Sequence, residues 1–338
     1  MERLRVREAI NRALADEMEA DPKVICLGED IAAAGGAFKV TEGLQERFGP
    51  ERVMDTPISE TGFLGAAVGA AMTGMRPVVE MMFIDFTGVA LDQLVTEAAN
   101  TRYLSRGKLT VPLVLRGSAG AGMGFGCQHS GLLDHWFRGT PGLKVGVVSG
   151  AAAAYEMHRA AIRDPDPVVV LEPRILYTRR EEVDLPVVTD SSSVGRAVTA
   201  ATGDDLTIVT AGQMVGVALE ALAGASWSAD VIDLRWLQPW DVEAVLASVR
   251  RTSRLVTLEE TPPDAGWGGD VLAAVATQLH GQLEAPSLRI GPPPVPVPFS
   301  GALEERYLPT ADRLREQIEV SLRGAPPTNW WAPEGVSA

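Results

Sequence analysis

VMDTPISETGFLGAAVGAAMTGMRPVVEMM, residues 53–82, is the stretch that decides the fold. Val53-Met54-Asp55 reads as a short strand. Ser59 stands where an N-cap belongs for a helix over 60–73, Gly74 closes that helix, and PVVEMM at 77–82 is strand-like again. Strand, helix and strand in direct succession is the alternation that builds parallel sheets. The helix has almost no side-chain bulk, because Gly62, Gly65, Ala66, Ala67, Gly69, Ala70 and Ala71 fill it. Each Gly costs about 1 kcal/mol against Ala in a helix. The expected compensation is close approach of another backbone, within the fold or across a subunit interface; an unusually tight core helix is the alternative.

The same alternation extends in both directions. An amphipathic helix over 5–20 stops at Asp21-Pro22, and KVICL at 23–27 reads as a buried strand. A short helix over 41–48, a helix over 89–104, a strand over 111–116, a strand over 144–148, a helix over 151–163 and a strand over 168–171 complete a first half. Residues 179–193, charged, with Pro186 and a Ser triplet, have linker composition. Beyond them come strands at 206–210, 229–233 and 254–258, alternating with helices at 215–222, 242–250 and 271–279. Residues 291–298 carry five prolines and read as extended chain, and a last helix is expected over 310–322. The expectation is an α/β protein of two three-layer α/β/α domains, 1–185 and 186–325, with a Pro/Trp-containing tail at 326–338.

Composition narrows the function classes. The chain has 338 residues, 46% hydrophobic and 22% charged, enough for two domains that each bury a core. Its 44 acidic and 30 basic residues give a formal net charge of −14, which opposes nucleic-acid binding. The apolar run at 62–75 is too short to cross a bilayer. Met1-Glu2-Arg3-Leu4 leads directly into the first helical pattern, so no targeting segment is expected and the cytoplasm is the default location. Cys26 and Cys127 lack any metal or disulfide spacing and read as small buried hydrophobes.

Few motifs carry chemistry. A GxGxxG after a strand, a phosphate loop and HExxH are all missing. The Gly-rich residues 117–126 (GSAGAGMGFG) form a weak dinucleotide signal and read better as a mobile loop delivering His129. His158 and His280 fall in predicted helices and read as partly exposed positions. No histidine pair has zinc-ligand spacing.

Several segments together resemble one family. Asp55-Thr56-Pro57-Ile58-Ser59-Glu60 with Gly62-Phe63 and the Gly/Ala run, Arg76-Pro77-Val78-Val79-Glu80, Asp92-Gln93, Gln128-His129-Ser130, Pro141-Gly142-Leu143-Lys144-Val145, Val231-Ile232-Asp233-Leu234-Arg235 and Tyr307-Leu308-Pro309-Thr310 are similar to the β subunits of 2-oxo acid dehydrogenase E1 components. These are transketolase-like thiamine diphosphate enzymes, and the resemblance covers nearly the whole chain. It implies a pyrimidine-binding domain followed by a transketolase C-terminal domain. By position alone Glu60 is a first-turn carboxylate favoured by the helix dipole. The resemblance makes it the catalytic carboxyl that bonds N1′ of the cofactor aminopyrimidine, in an apolar pocket where burial raises its pKa. It also implies cofactor contacts from Phe86 and Ile58, and an acid–base role for His129.

The resemblance further implies a potassium ion held through Leu113, Ala161, Ile162, Asp164 and Asp166, the last usually Asn in relatives. Glu284 matches a position that meets the acyltransferase core in some of them. The family's Gly-Asp-Gly…Asn grip on diphosphate and Mg²⁺ has no counterpart in this chain. An α subunit is therefore expected to supply it in an α₂β₂ assembly acting on a small 2-oxo acid. His129-Ser130-Gly131-Leu132 departs from the usual His-Ser-Gln-Ser, so acyl transfer to a ketone or sugar, or acetoin chemistry, stands beside lipoyl transfer. A non-catalytic partner subunit is the third reading.

Overall fold

The computed structural model describes residues 1–185, 188, 190–324 and 331. The expected tail therefore lies outside the described residues apart from Trp331, as does Pro186 of the expected linker. The chain divides into two compact units: 1–120, 128–195 and 236–239 in the first; 121–127, 196–235 and 240–338 in the second.

The first unit runs β1 (Glu2–Arg5), α1 (Val6–Ala20), β2 (Val24–Gly28), α2 (Leu44–Phe48), β3 (Val53–Asp55), α3 (Glu60–Met72) and β4 (Arg76–Phe83). A helical stretch follows, with a 3₁₀ turn at Ile84–Phe86, α4 (Thr87–Asp92), a π-helical turn at Gln93–Ala98 and α5 (Ala99–Leu104). Then come β5 (Val114–Ala119), α6 (Asp134–Arg138), β6 (Lys144–Val147), α7 (Ala151–Arg163), β7 (Val168–Pro173) and β8 (Arg180–Val183). The second unit contains β9 (Val198–Ala201), β10 (Leu206–Thr210), α8 (Met214–Leu222) and β11 (Ala229–Asp233). After β12 (Trp236–Gln238), which pairs in the first unit, it continues with α9 (Val242–Thr252), β13 (Leu255–Leu258), α10 (Gly268–Gln278), β14 (Leu288–Ile290), α11 (Gly301–Glu304) and α12 (Ala311–Leu322).

The first unit's main sheet has the order β12-β6-β7-β5-β4-β2-β3, parallel except for β12. Its strands are nearly continuous apolar runs because both faces are covered. Val24, Cys26, Val78, Val114, Val168 and Val170 pack with α1 and α7, while Ile25, Leu27, Val79, Leu115, Val169 and Leu171 are buried on the opposite face. Ile10, Leu14 and Met18 of α1 are fully buried, each worth about 1.5–3 kcal/mol of apolar transfer. The second unit's sheet has the order β14-β13-β10-β11-β9, parallel except for β9. Parallel sheets alternating with helices are thus present in both halves.

Several local expectations change. The first residues form β1, paired antiparallel with β8, so the expected linker begins as a strand. Ser59 occupies the N-cap position of α3 without capping; its hydroxyl donates to the Pro57 carbonyl at 3.4 Å. The strand expected over 111–116 lies at Val114–Ala119, shifted past the turn whose Leu113 N–H bonds to the Val111 carbonyl. Of the glycines in α3, Gly65 is explained inside the fold, since a Cβ there would fall 2.7 Å from Gln93 Oε1. Among the described residues nothing lies within 4 Å of the missing Cβ of Gly69, which is exposed, so that part of the small-residue face is open.

Candidate active site

A parallel sheet aims all its strands the same way, so the residues that follow its strands gather along one edge, where ligands bind in open α/β sheets. In the first unit Glu29 follows β2, and Glu60 begins α3 beyond β3. Asp85 and Phe86 follow β4, His129 lies beyond β5, and Arg174 follows β7. The edge is therefore acidic, aromatic and imidazole-bearing.

Aromatic side chains build its centre. The His129 ring stands edge-on to Phe83, with centroids 4.7 Å apart, and to Phe86, at 5.3 Å. Phe83 also meets Phe86 and Phe38, each at 5.8 Å. Phe86 and His129, two of the residues expected from the sequence, are thus brought into contact. Ile58 is 83% exposed. Glu60 is half-buried rather than enclosed in an apolar pocket. Its companion Glu29 is the more buried carboxyl, with its pKa raised by burial and then by the negative charges of Glu60 and Asp30. Glu29 Oε1, Thr56 Oγ1, Asp85 Oδ2, Thr87 Oγ1 and Ser130 Oγ are buried without a hydrogen-bond partner among the described residues. Buried polar atoms are normally paired, so this edge is equipped for a polar, partly aromatic ligand.

Beneath the edge lies a buried ionic network. Arg116, 1% exposed, donates from Nε and Nη2 to the two oxygens of Glu172, each at 2.6 Å, and from Nη1 to Glu80. His158 Nε2 lies 2.7 Å from Glu172 Oε1, and the Tyr177 hydroxyl donates to Glu172 Oε2 at 2.6 Å. Burial works to raise the Glu172 pKa, but Arg116 and His158 outweigh it and hold the carboxyl well below its usual range. Glu80 has only one contact with Arg116, and burial wins there, pushing its pKa up. His158 is fully buried, not partly exposed as its helical position suggested. His280 is exposed in the turn after α10.

The oxygens of the five residues expected to hold potassium are engaged by donors of the protein itself. Asp164 N–H bonds to the Ala161 carbonyl, and Val168 N–H to that of Leu113. Arg76 Nη1 donates to the carbonyls of Ile162 at 2.8 Å and Asp164 at 3.3 Å. Lys144 Nζ donates to Asp164 Oδ1 at 2.6 Å and Asp166 Oδ2 at 3.4 Å, and Arg102 pairs with Asp166. Glu284 pairs with Arg254 at 2.7 Å. Cys26 is buried, and burial pushes its thiol up to about 12. Cys127 is exposed, contrary to the expectation, because it lies in the Gly-rich loop. Part of that loop is held, not loose: Gly122 and Gly124 donate to Glu304 at 2.8 and 2.7 Å, and Ala121 to Glu260 at 2.8 Å.

Known proteins match this architecture. Residues 2–180 match the transketolase pyrimidine-binding domain and residues 195–314 the transketolase C-terminal domain. The chain is 44% identical over 314 residues to the mitochondrial pyruvate dehydrogenase E1 component subunit beta-2 of Oryza sativa subsp. japonica, covering 91% of this chain and 84% of the relative. It belongs to the E1 β-subunit family of transketolase-like proteins. This β-type chain is also 42% identical to the acetoin:2,6-dichlorophenolindophenol oxidoreductase subunit beta of Cupriavidus necator, over 95% of this chain and 98% of that one. A split-gene transketolase, solved as an inactive β₄ tetramer, superposes with a TM-score of 0.74 over 95% of this chain and 98% of its own, at 24% identity. That likeness speaks for the fold. The family implies dependence on thiamine diphosphate. No described helix is long and apolar enough to cross a membrane.

Sequence reasoning missed Glu29, Asp85 and Arg174. Each is the first or second residue after a strand, and polar residues after predicted strands are the signal that could have found them.

Proposed function

We propose that this chain is the β subunit of a heteromeric thiamine-diphosphate-dependent 2-oxo acid dehydrogenase E1 component. It works with an α subunit in an α₂β₂ assembly that decarboxylates a small 2-oxo acid and passes the acyl group to a lipoyl acceptor on an acyltransferase core. The observation that carries this reading is the presence of Glu60 and His129 on one sheet edge, in a chain 44% identical to a pyruvate dehydrogenase E1 β subunit. Bound thiamine diphosphate supplies the carbanion-forming centre and electron sink for decarboxylation.

This chain's residues do the rest. Glu60 would hold the aminopyrimidine through a hydrogen bond at its carboxyl, with the more buried Glu29 carboxyl beside it. Phe86, beside Phe83, offers an aromatic face, and Ile58 an exposed apolar side chain two residues before α3. His129 moves a proton at the substrate end. The α subunit holds Mg²⁺ and the diphosphate. The open face of α3 around Gly69 supports a packed partner helix.

Glu60→Gln in the reconstituted enzyme is expected to lower turnover at least ~10²-fold while leaving assembly intact. Near-normal turnover would remove Glu60 from the mechanism. Acetoin or another acyloin as substrate is the second reading, favoured by Gly131 and the buried Leu132 beside His129; robust acetylation of a lipoyl domain would decide against it. A structural potassium ion would share its oxygens with Arg76, Lys144 and Arg102. Replacing K⁺ by choline should lower the thermal midpoint if the ion is bound, and an unchanged midpoint eliminates it. A cytoplasmic location rests on two unpaired thiols.

A further inference from the structure

His129 lies on a connection without helix or strand between β5 and α6, so its ring can be aimed only if something fixes the main chain. Two side chains do so. Arg174 donates from Nη2 to the His129 carbonyl, and Asp85 Oδ1 accepts from Gly131 N–H at 3.1 Å. Arg174 follows β7 and Asp85 follows β4, and both strands pair with β5, which leads toward His129. The connection is gripped from both neighbouring strands.

Arg174 is itself firmly held. It is 2% exposed, and its guanidinium lies 4.9 Å from the Phe83 ring centre and 5.5 Å from that of Phe38. Such a stack suits the planar guanidinium and not an ammonium. Phe38 also meets the ring of Tyr177 at 5.5 Å, and Tyr177 is anchored on Glu172. Phe83, which stacks with Arg174, is the ring that buttresses His129 edge-on. At position 131 a Cβ would fall 2.8 Å from Asp85 Oδ1 and 2.7 Å from Leu133 Cγ, so glycine there permits the Asp85 contact.

We propose that Arg174 and Asp85 are positioning residues that clamp the His129–Gly131 main chain and thereby aim the imidazole. This rests on the reading of His129 as the acid–base group. The test uses the full chain reconstituted with its α subunit, as Arg174→Met, Arg174→Lys, Asp85→Ala and Asp85→Asn. Carbethoxylation of His129 by diethyl pyrocarbonate, mapped by peptide mass, reads the aim of the ring without any turnover.

Arg174→Met and Asp85→Ala should change the His129 labelling rate several-fold. They should lower kcat by up to ~10²-fold, the cost of a displacement near 1 Å, with KM for the 2-oxo acid nearly unchanged. Arg174→Lys and Asp85→Asn, which keep one donor and one acceptor, should recover part of both. His129→Ala separates the two claims. If it leaves kcat intact, the acid–base reading fails, while the labelling rates still judge the clamp. Unchanged His129 labelling in folded Arg174→Met and Asp85→Ala overturns the clamp. Should Arg174→Met not fold, Arg174→Lys and the Asp85 pair decide in the same way.

Discussion

Replacing Arg116 by Met tests how the first unit tolerates charge inside its sheet. The guanidinium is the counter-charge that Glu172 meets through two bonds of 2.6 Å and that Glu80 meets through a third. Methionine fills similar volume but leaves two buried carboxyls facing each other. Breaking a buried pair by deleting one partner costs about 3–5 kcal/mol, a fifth or more of a typical domain stability of about 5–15 kcal/mol. At about 2–4 °C per kcal/mol for a domain of this size, the thermal midpoint should fall by about 6–20 °C.

The pH dependence distinguishes this from simple loss of packing. In the native protein Glu172 is held below its ordinary range. Its contribution is therefore present above the unfolded value of about 4.3 and lost as pH falls through the lower folded value. In Arg116→Met the largest opposition to burial is gone, leaving only His158 and the Tyr177 hydroxyl on Glu172, so the folded carboxyl pKa values rise. The remaining stability is then greatest below about pH 4.3 and declines as pH rises through the raised values. The deficit between native and variant protein must widen from about pH 4.5 toward neutrality. Urea unfolding across that range measures it. A loss below ~1 kcal/mol, or a deficit independent of pH, would refute the assignment of Arg116 as the network's counter-charge.

Thiol chemistry should separate the two cysteines. Iodoacetamide near neutral pH is expected to alkylate exposed Cys127 and spare Cys26, whose thiol burial pushes up to about 12; labelling of both in the folded chain would contradict the core placement. Gly69→Ala should stabilise α3 by up to ~1 kcal/mol in the chain alone, since nothing crowds the added methyl. Gly69→Leu should weaken association with the α subunit in sedimentation experiments, and unimpaired association would remove this face from the interface.

How much was legible depended on whether the signal was local. The central parallel strands of both halves and the helices between them followed from periodicity, because a buried strand such as VVVL at 168–171 needs no distant partner to be recognised, whereas β9 and β14 were not expected. β1 and β8 were not legible. Glu2–Arg5 and Arg180–Val183 are polar, and their pairing joins residues about 180 positions apart. Trp236–Gln238 was missed for the same reason, being a short edge strand returned to the first sheet from within the second half. At the site, Glu60 and His129 stood in distinctive segments, whereas Glu29, Asp85 and Arg174 look like ordinary surface charges. His158 shows the limit: its helical position indicated partial exposure, but the sheet beneath supplied Glu172 as a buried partner.

The loop at 117–126 joins the sequence argument to the structural one. A Gly-rich turn with free backbone N–H groups is the usual cradle for phosphate, and an enzyme of a diphosphate cofactor would be expected to use it so. Here the N–H groups of Ala121, Gly122 and Gly124 donate to Glu260 and Glu304, so the donors are already committed to carboxylates of the same unit. A diphosphate arriving there would have to displace two acids and meet their charge. The edge of the first sheet, with Glu29, Glu60 and Asp85, is equally unsuited to phosphate, and under the proposed function it would receive the aminopyrimidine, a group that donates to carboxylates. The net charge of −14 thus acquires a local meaning. This chain offers acceptors and aromatic faces, and the proposal that another subunit supplies the donors for the diphosphate follows from where its own donors are spent.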